Sequence, residues 1–177
     1  MASDKMFRKP SIDVVQGDTE GPFYGVVGAN ATAAAMVPGR VVCFDTNDNE
    51  VKECGAQDVS GNTAAPIGIL GYEDSPLAFK PATRDTAYAR GDHVAIHKKP
   101  GMSFRGWLAT GQTVVTGTKL KVAANGIFTP VTAVTDAYFA SAIEGLTSSG
   151  TTACWMEWME RATRTALRAV RKPGFPE

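Results

Sequence analysis

The spacing of turn residues is the feature that most limits how this chain can fold. From Gly39 to about Met159, short β-prone runs alternate with turn residues roughly every 8–12 positions, which is typical of a β-sandwich or β-barrel. The strongest signal is Asn125-Gly126 between the apolar runs 120–122 and 127–129, because both residues tolerate a positive φ and favour a tight hairpin. The sequence therefore predicts a mainly β chain.

Other strands follow from the same pattern. A hairpin is predicted from Val41–Phe44 through Asn47-Asp48 to Val51, with further strands at 66–71, 93–97 and 102–109. Gly106 is expected to form a bulge within the last of these. Residues 138–143 and 151–159 each fit a strand or a helix. Gly150 and the two threonines after it favour the strand for 151–159, which would alternate Ala153, Trp155, Glu157 and Met159 on one face with Cys154, Met156 and Trp158 on the other.

The first 36 residues differ from the rest. They contain prolines, several glycines and no sustained period, which indicates an extended N-terminal arm. The arm is too apolar for a solvated linker, so its side chains are expected to pack on this domain's own core or on a partner. The predicted division is an arm at 1–36, a β domain at 37–159 and a C-terminal helix and tail at 160–177.

The C-terminal segment has the helical pattern. From Glu160 to Lys172, four arginines recur three and four residues apart and so share one helix face: Arg161, Arg164, Arg168 and Arg171. Pro173-Gly174 ends the helix. The arginine face is either solvated or a contact for an acidic partner surface, since Arg pairs well with carboxylates. Nucleic-acid binding is a weaker alternative, because no aromatic residues alternate with the charges.

Charge and cysteine content restrict the function. The 18 basic and 18 acidic residues balance, so the chain has no general electrostatic attraction to nucleic acid or anionic membrane. The three cysteines lack the spacing of a disulfide framework or zinc site, and Cys43 is expected opposite Lys52, out of register with Cys54. Buried free thiols in a reducing compartment are therefore predicted. The N-terminus has no apolar signal region, and no window resembles a membrane span, so secretion is not expected.

Residues that could carry out chemistry are scattered. His93 and His97 lie on one face of a predicted strand but about 13 Å apart, too far to share a metal, and are interpreted as solvent-facing. No nucleophile elbow, phosphate loop or dinucleotide motif occurs. The three tryptophans, Trp107, Trp155 and Trp158, fit core packing, with an interface role as the alternative.

Seven phrases carry a family resemblance. These short sequence phrases are, in chain order, Gly39-Arg-Val-Val, Ala65-Pro-Ile-Gly-Ile-Leu-Gly, Ala89-Arg-Gly-Asp-His-Val-Ala-Ile, Leu108-Ala-Thr-Gly-Gln-Thr-Val, Val115-Thr-Gly-Thr-Lys-Leu, Asn125-Gly-Ile-Phe and Ala142-Ile-Glu-Gly-Leu. In this order, over about residues 39–159, they resemble the head-decoration or capsid-cement proteins of tailed bacteriophages (lambda decoration-protein-like).

The resemblance implies a β-tulip or related small barrel, a homotrimer, and an arm that lies on the major capsid protein by β-augmentation. The capsid contacts expected on the arm are Phe7, Ile12, Val14, Val15, Phe23 and Tyr24. The basic C-terminal helix departs from the smaller family members.

The expected function is a virion structural protein, made in the host cytoplasm, that binds and stabilises the capsid exterior. No catalysis, cofactor, metal, nucleic-acid or membrane partner is expected. The alternative is another virion β module, a fibre-base, tail or receptor-binding protein that recognises a glycan or host protein. A β-clip or β-sandwich hydrolase is a weaker third hypothesis.

Overall fold

A computed structural model describes residues 14–18, 20–47, 49–56, 65–72, 81–133 and 136–162, with side chains to 159. The prediction of a mainly β fold with a small barrel is confirmed, since the chain forms thirteen strands within these ranges, although they build two barrels and not one. The strands are β1 Val15–Gln16, β2 Phe23–Val27, β3 Val41–Phe44, β4 Glu50–Glu53, β5 Gly68–Leu70, β6 His93–His97, β7 Ser103–Leu108, β8 Thr113–Val114, β9 Lys119–Val122, β10 Phe128–Pro130, β11 Tyr138–Ala142, β12 Leu146–Thr147 and β13 Thr152–Ala162. No helix within these ranges has the length and apolar character needed to cross a membrane.

The first barrel closes in the order β2-β4-β3-β5-β6, with β6 pairing back to β2. β2 and β4 run parallel, and the other neighbours are antiparallel. Its interior contains Val42, Val51, Leu70 and Ile96, together with Tyr88 from the loop before β6. The Tyr88 hydroxyl donates to the Gly71 carbonyl at 2.8 Å, so the one polar atom of this buried ring is satisfied.

The second barrel is formed by β7, β10, β9, β11 and β13, and the pairing of β13 with β7 closes it. Its core includes the rings of Phe104, Phe128 and Trp158, with centroids 5.6 and 6.1 Å from Phe104. The predicted bulge at Gly106 is wrong, because β7 and β13 pair without interruption from 152 to 157. Gly106 points into this barrel, where a Cβ would press on Phe104 and Met156, so packing explains the glycine.

The two barrels share one core. Val41, Cys43, Cys54 and Ile69 belong to strands of the first barrel or follow them, yet they pack in the cluster of the second. The Asn125-Gly126 turn between β9 and β10 has positive φ at both residues, as the hairpin prediction requires.

The tip of that turn is docked against the first barrel. Gly126 N–H donates to the Cys54 carbonyl at 2.8 Å, and the Arg40 guanidinium donates to the Asn125 carbonyl at 3.1 Å. Burial lowers the pKa of Arg40, and nearby Glu53 partly offsets this. The junction between the barrels is therefore a packed interface with its own hydrogen bonds.

Two carboxylates fasten the 28–32 loop to the β3–β4 hairpin. The Asp45 side chain is 0% exposed and accepts hydrogen bonds from Asn30 N–H at 3.1 Å and Asn30 Nδ2 at 3.0 Å, with Lys52 Nζ at 3.1 Å. Glu53 accepts from the Thr32 N–H at 2.9 Å and from its hydroxyl. Burial raises the pKa of Asp45, but these hydrogen bonds outweigh it and lower that pKa to about 2.

The segment 14–36 is not an extended arm. Val14 and Val15 are 2% and 4% exposed, and β1 pairs with β7 of the second barrel. β2 is a wall of the first barrel, so no boundary falls at residue 36. Of the two destinations considered for these apolar side chains, the chain's own core is the one observed. Residues 1–13 lie outside the described residues.

The start predicted for the C-terminal helix is also wrong. Residues 160–162 continue β13, and Ala162 pairs with Tyr138 of β11. Pairing with a neighbouring strand fixes the backbone of 160–162, although the spacing of the arginines predicted a helix from residue 160. Residues 163–177 lie outside the described residues.

Candidate binding face

Alternation along β7 and β13 separates the three tryptophans. Trp158 is buried and packs on Phe139 with ring centroids 6.3 Å apart, as predicted for a core residue. Trp107 and Trp155 are half-buried on the outer faces of their strands. The tryptophans therefore divide between the two interpretations, with one in the core and two on the surface.

Outward-facing residues of β7 and β13 lie side by side, and Ile143, directly after β11, lies next to them. Trp155 of β13 pairs with Arg105 of β7, and one step along Ala153 pairs with Trp107. On the other side of β13, the Ile143 N–H donates to the Trp155 carbonyl at 2.9 Å. We name the surface formed by Arg105, Trp107, Ile143, Ala153 and Trp155 the tryptophan face.

The tryptophan face continues onto the loop after β8. Val115 is 65% exposed and Ile143 is 42% exposed. The loops that carry them are fixed to each other, since the Thr116 hydroxyl donates to the Ile143 carbonyl at 3.0 Å and the Gly117 N–H donates to the Ala142 carbonyl at 2.8 Å. Exposed apolar side chains on fixed loops favour binding to another surface.

A small crevice opens at the other end of the tryptophan face. Its lining residues are Val14, Pro38, Arg84, Asp85, Arg105, Trp107 and Ala153. The crevice therefore lies where β1, β7 and β13 meet the 38–40 turn of the first barrel.

The crevice wall is held in place by main-chain contacts. The Trp107 indole N–H donates to the Pro38 carbonyl at 2.8 Å, and the Arg105 N–H donates to the Val14 carbonyl at 2.7 Å. Gly39 has φ of 86°, and a Cβ there would collide with the Arg105 carbonyl. The turn can approach β7 this closely only with glycine at this position.

Charges around the crevice are unevenly paired. Arg84 Nε lies 3.7 Å from Asp85 Oδ1, and both side chains are substantially exposed. Among the described residues, no carboxylate lies within ion-pair distance of the Arg105 guanidinium. Glu144 lies at the edge of the tryptophan face, where its Oε1 accepts a hydrogen bond from the Trp155 N–H at 2.8 Å. Glu157, two residues after Trp155 on β13, is exposed.

The predicted contact residues are dispersed. Val14 and Val15 are buried in the core of this chain. Phe23 and Tyr24 are half-buried on β2, and Phe23 lies under the Lys98 ammonium at 5.2 Å. Arg161 is on a strand backbone. The remaining predicted contacts, Phe7, Ile12, Arg164, Arg168 and Arg171, lie outside the described residues.

Sequence patterns did not indicate Arg105 as a contact residue, although alternation along 103–108 puts it on the same face of the strand as Trp107.

The interpretation of both histidines as solvent-facing is half wrong. His93 is exposed, but His97 is buried, and its Nδ1 lies 2.6 Å from Asp18 Oδ2. Asp18 comes from the connector between β1 and β2, 79 residues away, so no local pattern could reveal the pair. Within the described ranges, no three potential metal ligands come together.

The three cysteines are buried and form no disulfide, as predicted, and Cys43 lies opposite Lys52 in the hairpin. A hydrogen bond between the Cys43 and Cys54 thiols lowers the pKa of Cys43 despite its burial. Burial, assisted by Glu144, raises the pKa of Cys154 to about 11.

Comparisons with known proteins identify no relative by sequence. No protein family matches the chain, and no curated protein matches it. Among solved structures, the N-terminal base of the head fibre protein gp8.5 of bacteriophage phi29 is similar, with a TM-score of 0.44, 12% identity, and coverage of 77% of this chain and 91% of that chain.

Proposed function

We propose that this chain is a virion structural protein of a tailed bacteriophage that binds the outer surface of the capsid and stabilises the shell. The seven ordered phrases that resemble decoration proteins support the assignment. The observation that carries the binding role is the tryptophan face, with its adjoining apolar loops. In this proposal the chain acts by binding the major capsid protein and has no catalytic role.

The composition of the tryptophan face suits a protein partner. Trp and Arg are the residues most enriched where single side chains dominate binding energy. Binding is strongest when few groups must lose conformational freedom on association. Here the crevice wall and the loops beside Val115 are already fixed by hydrogen bonds to main-chain carbonyls. A standard interface of about 1,600 Å² gives micromolar to picomolar affinity depending on such features.

The presence of many equivalent binding sites on one capsid would strengthen attachment. A capsid presents many equivalent sites, and a homotrimer, as the resemblance implies, would engage several at once. Linked binding events raise the effective concentration of each later contact, so even modest single-site affinity can hold the protein on the shell. Bridging neighbouring capsid subunits then raises the cost of separating them.

Co-sedimentation with expanded capsids of the phage that encodes the chain tests the proposal. The purified protein should pellet with expanded capsids and raise their disruption temperature in a thermal-shift assay. A Trp155→Ala variant that remains folded by circular dichroism should pellet less, whereas Phe44→Ala, which changes an exposed aromatic residue on the first barrel (54% exposed), should pellet like the wild type. Wild-type protein that stays in the supernatant would refute the proposal.

A second candidate is a virion module that recognises a glycan. The half-exposed rings of Trp107 and Trp155 favour it, because aromatic faces are suitable contacts for sugar rings. Binding on a glycan array that is lost in Trp155→Ala, without capsid binding, would favour this candidate over the first.

A further inference from the structure

The ladder between β11 and β13 ends at Trp155 with one of its hydrogen bonds replaced. The Ile143 N–H donates to the Trp155 carbonyl at 2.9 Å, which continues the antiparallel pairing of β11 with β13. In a regular ladder the Trp155 N–H would return a hydrogen bond to the Ile143 carbonyl. That carbonyl accepts instead from the Thr116 hydroxyl at 3.0 Å, so the chain leaves the sheet at Ile143.

The Glu144 carboxylate takes the place of the acceptor that the ladder loses. Its Oε1 accepts from the Trp155 N–H at 2.8 Å, and the Cys154 thiol donates to the same carboxylate. An unpaired N–H at the edge of a sheet is either left unsatisfied or open to pairing with another strand. Because Glu144 directly follows Ile143, the segment that leaves the sheet also closes the edge that it leaves.

This arrangement fixes two residues of the tryptophan face relative to each other. The main chains of Ile143 and Trp155 are joined by one direct hydrogen bond and by a second one through Glu144. Ile143 nevertheless stays exposed, and Trp155 stays half-buried. Side chains that are ordered before association lose less conformational freedom on binding. Without Glu144, the Trp155 main chain would keep only one of these two links to the 143–145 turn.

We propose that Glu144 is a positioning residue of the tryptophan face, whose carboxylate holds Trp155 and Ile143 in the arrangement that a protein partner binds. Glu144 acts through its hydrogen bond to the Trp155 main chain and not through a charge contact with the partner. The identity of the partner rests on the proposed function, whereas the effect of Glu144 on Trp155 does not. Because Glu144 is exposed, its replacement opens no cavity in either barrel core.

Amide hydrogen exchange, followed residue by residue in ¹H–¹⁵N spectra, tests the positioning without a capsid. Glu144→Ala should speed exchange of the Trp155 N–H about tenfold or more, since a hydrogen bond to a charged group is lost. Glu144→Gln, whose side-chain carbonyl still accepts a hydrogen bond, should keep most of the protection. Glu20→Ala is the matched control, because that carboxylate is 75% exposed in the β1–β2 connector, and it should leave the rate unchanged. An unchanged rate in Glu144→Ala, or equal acceleration in Glu144→Gln, would overturn the inference.

Capsid co-sedimentation then tests the link to binding. Glu144→Ala should weaken capsid binding about two- to tenfold, because the partner must then order the Trp155 side chain, whereas Glu144→Gln should recover most of the affinity and Glu20→Ala should bind like the wild type. If Glu144→Gln binds as weakly as Glu144→Ala, the charge contacts the partner directly and the inference fails. If wild-type protein and Glu144→Ala pellet equally well, the inference fails while the proposed function stands. If wild-type protein does not pellet, the proposed function fails and the exchange rates still decide whether Glu144 positions Trp155.

Discussion

Replacement of Asp45 by Asn should remove one acid-sensitive contribution to the chain's stability. The Asp45 carboxylate is fully buried between the 28–32 loop and the β3–β4 hairpin, where Asn30 and Lys52 hydrogen-bond to it. Gly28 lies so close that a Cβ there would collide with the carboxylate, so the pocket fits this group tightly. An amide in its place keeps the shape but loses the charge that these donors stabilise.

The magnitude follows from the pKa. Hydrogen bonding in the folded state takes the pKa of Asp45 from 3.8 to about 2. At about 1.4 kcal/mol per pH unit, the charged form contributes about 2 kcal/mol to the free energy of unfolding. Because the folded pKa is the lower one, this contribution is complete above the unfolded pKa. It is lost as the pH falls from about 4 through 2.

Urea denaturation followed by far-ultraviolet circular dichroism measures the effect. Asp45→Asn should be about 2 kcal/mol less stable than wild type at pH 7, with the difference shrinking toward pH 2. Asp85→Asn is the matched control, because that carboxylate is 62% exposed and should change stability by less than about 0.5 kcal/mol. A constant difference between wild type and Asp45→Asn from pH 7 to pH 2 would refute the assignment of this acid sensitivity to Asp45.

Three further outcomes are expected. Gly126→Ala should lower the free energy of unfolding, measured by urea denaturation, by about 3 kcal/mol or more, because φ is 67° and the added Cβ would collide with the first barrel. Gly111→Ala is the control and should lower it by about 1 kcal/mol, because φ is 74° but the added Cβ would lie in open space. Equal losses in the two variants would contradict the packing argument. Asp18→Asn should cost about 2 kcal/mol by the same measurement, since the buried His97 ring would lose the carboxylate that lies 2.6 Å from its Nδ1, and a loss below about 1 kcal/mol would count against that pairing. Cys154, with a pKa of about 11, should resist iodoacetamide at pH 8 until urea unfolds the chain, as peptide mapping by mass spectrometry would show; rapid labelling of folded protein would disprove its burial.

Local patterns predicted most of the strands after residue 39. Residues 152–159 alternate because one side of β13 faces the barrel interior and the other faces outward, a contrast that the sequence records directly. The Asn125-Gly126 hairpin was predictable because its backbone geometry requires residues that accept positive φ. The register of Cys43 against Lys52 followed from the position of the turn in the first hairpin.

Non-local contacts were not predictable from those patterns. The closing of two barrels depends on the parallel pair of β2 with β4 and on the pairing of β7 with β13, which join distant parts of the chain. Gly106 resembled a bulge because a glycine in a strand has two causes, and only the packed rings around it distinguish them. The apolar residues 14–36 indicated burial correctly, but the sequence could not show which surface would bury them.

The tryptophan face was only partly predictable, because it combines alternation within strands with contacts between distant parts of the chain. Alternation placed Trp155 on one face of its strand and Trp158 on the other, but it gave no sign that Arg105 would lie opposite Trp155. The crevice requires the 38–40 turn of the first barrel to rest on β7, and that contact depends on Gly39.

The docked Asn125-Gly126 turn has a practical consequence for peptide display. A two-residue hairpin tip is where a protein engineer would ordinarily insert a foreign epitope, since loop tips tolerate insertion. Here an insert would separate the barrels, because the tip is bonded to Cys54 and Arg40. The turns at Gly91 and Gly111, whose surroundings are open, are the better insertion points. They would leave both barrels joined while presenting cargo to solvent.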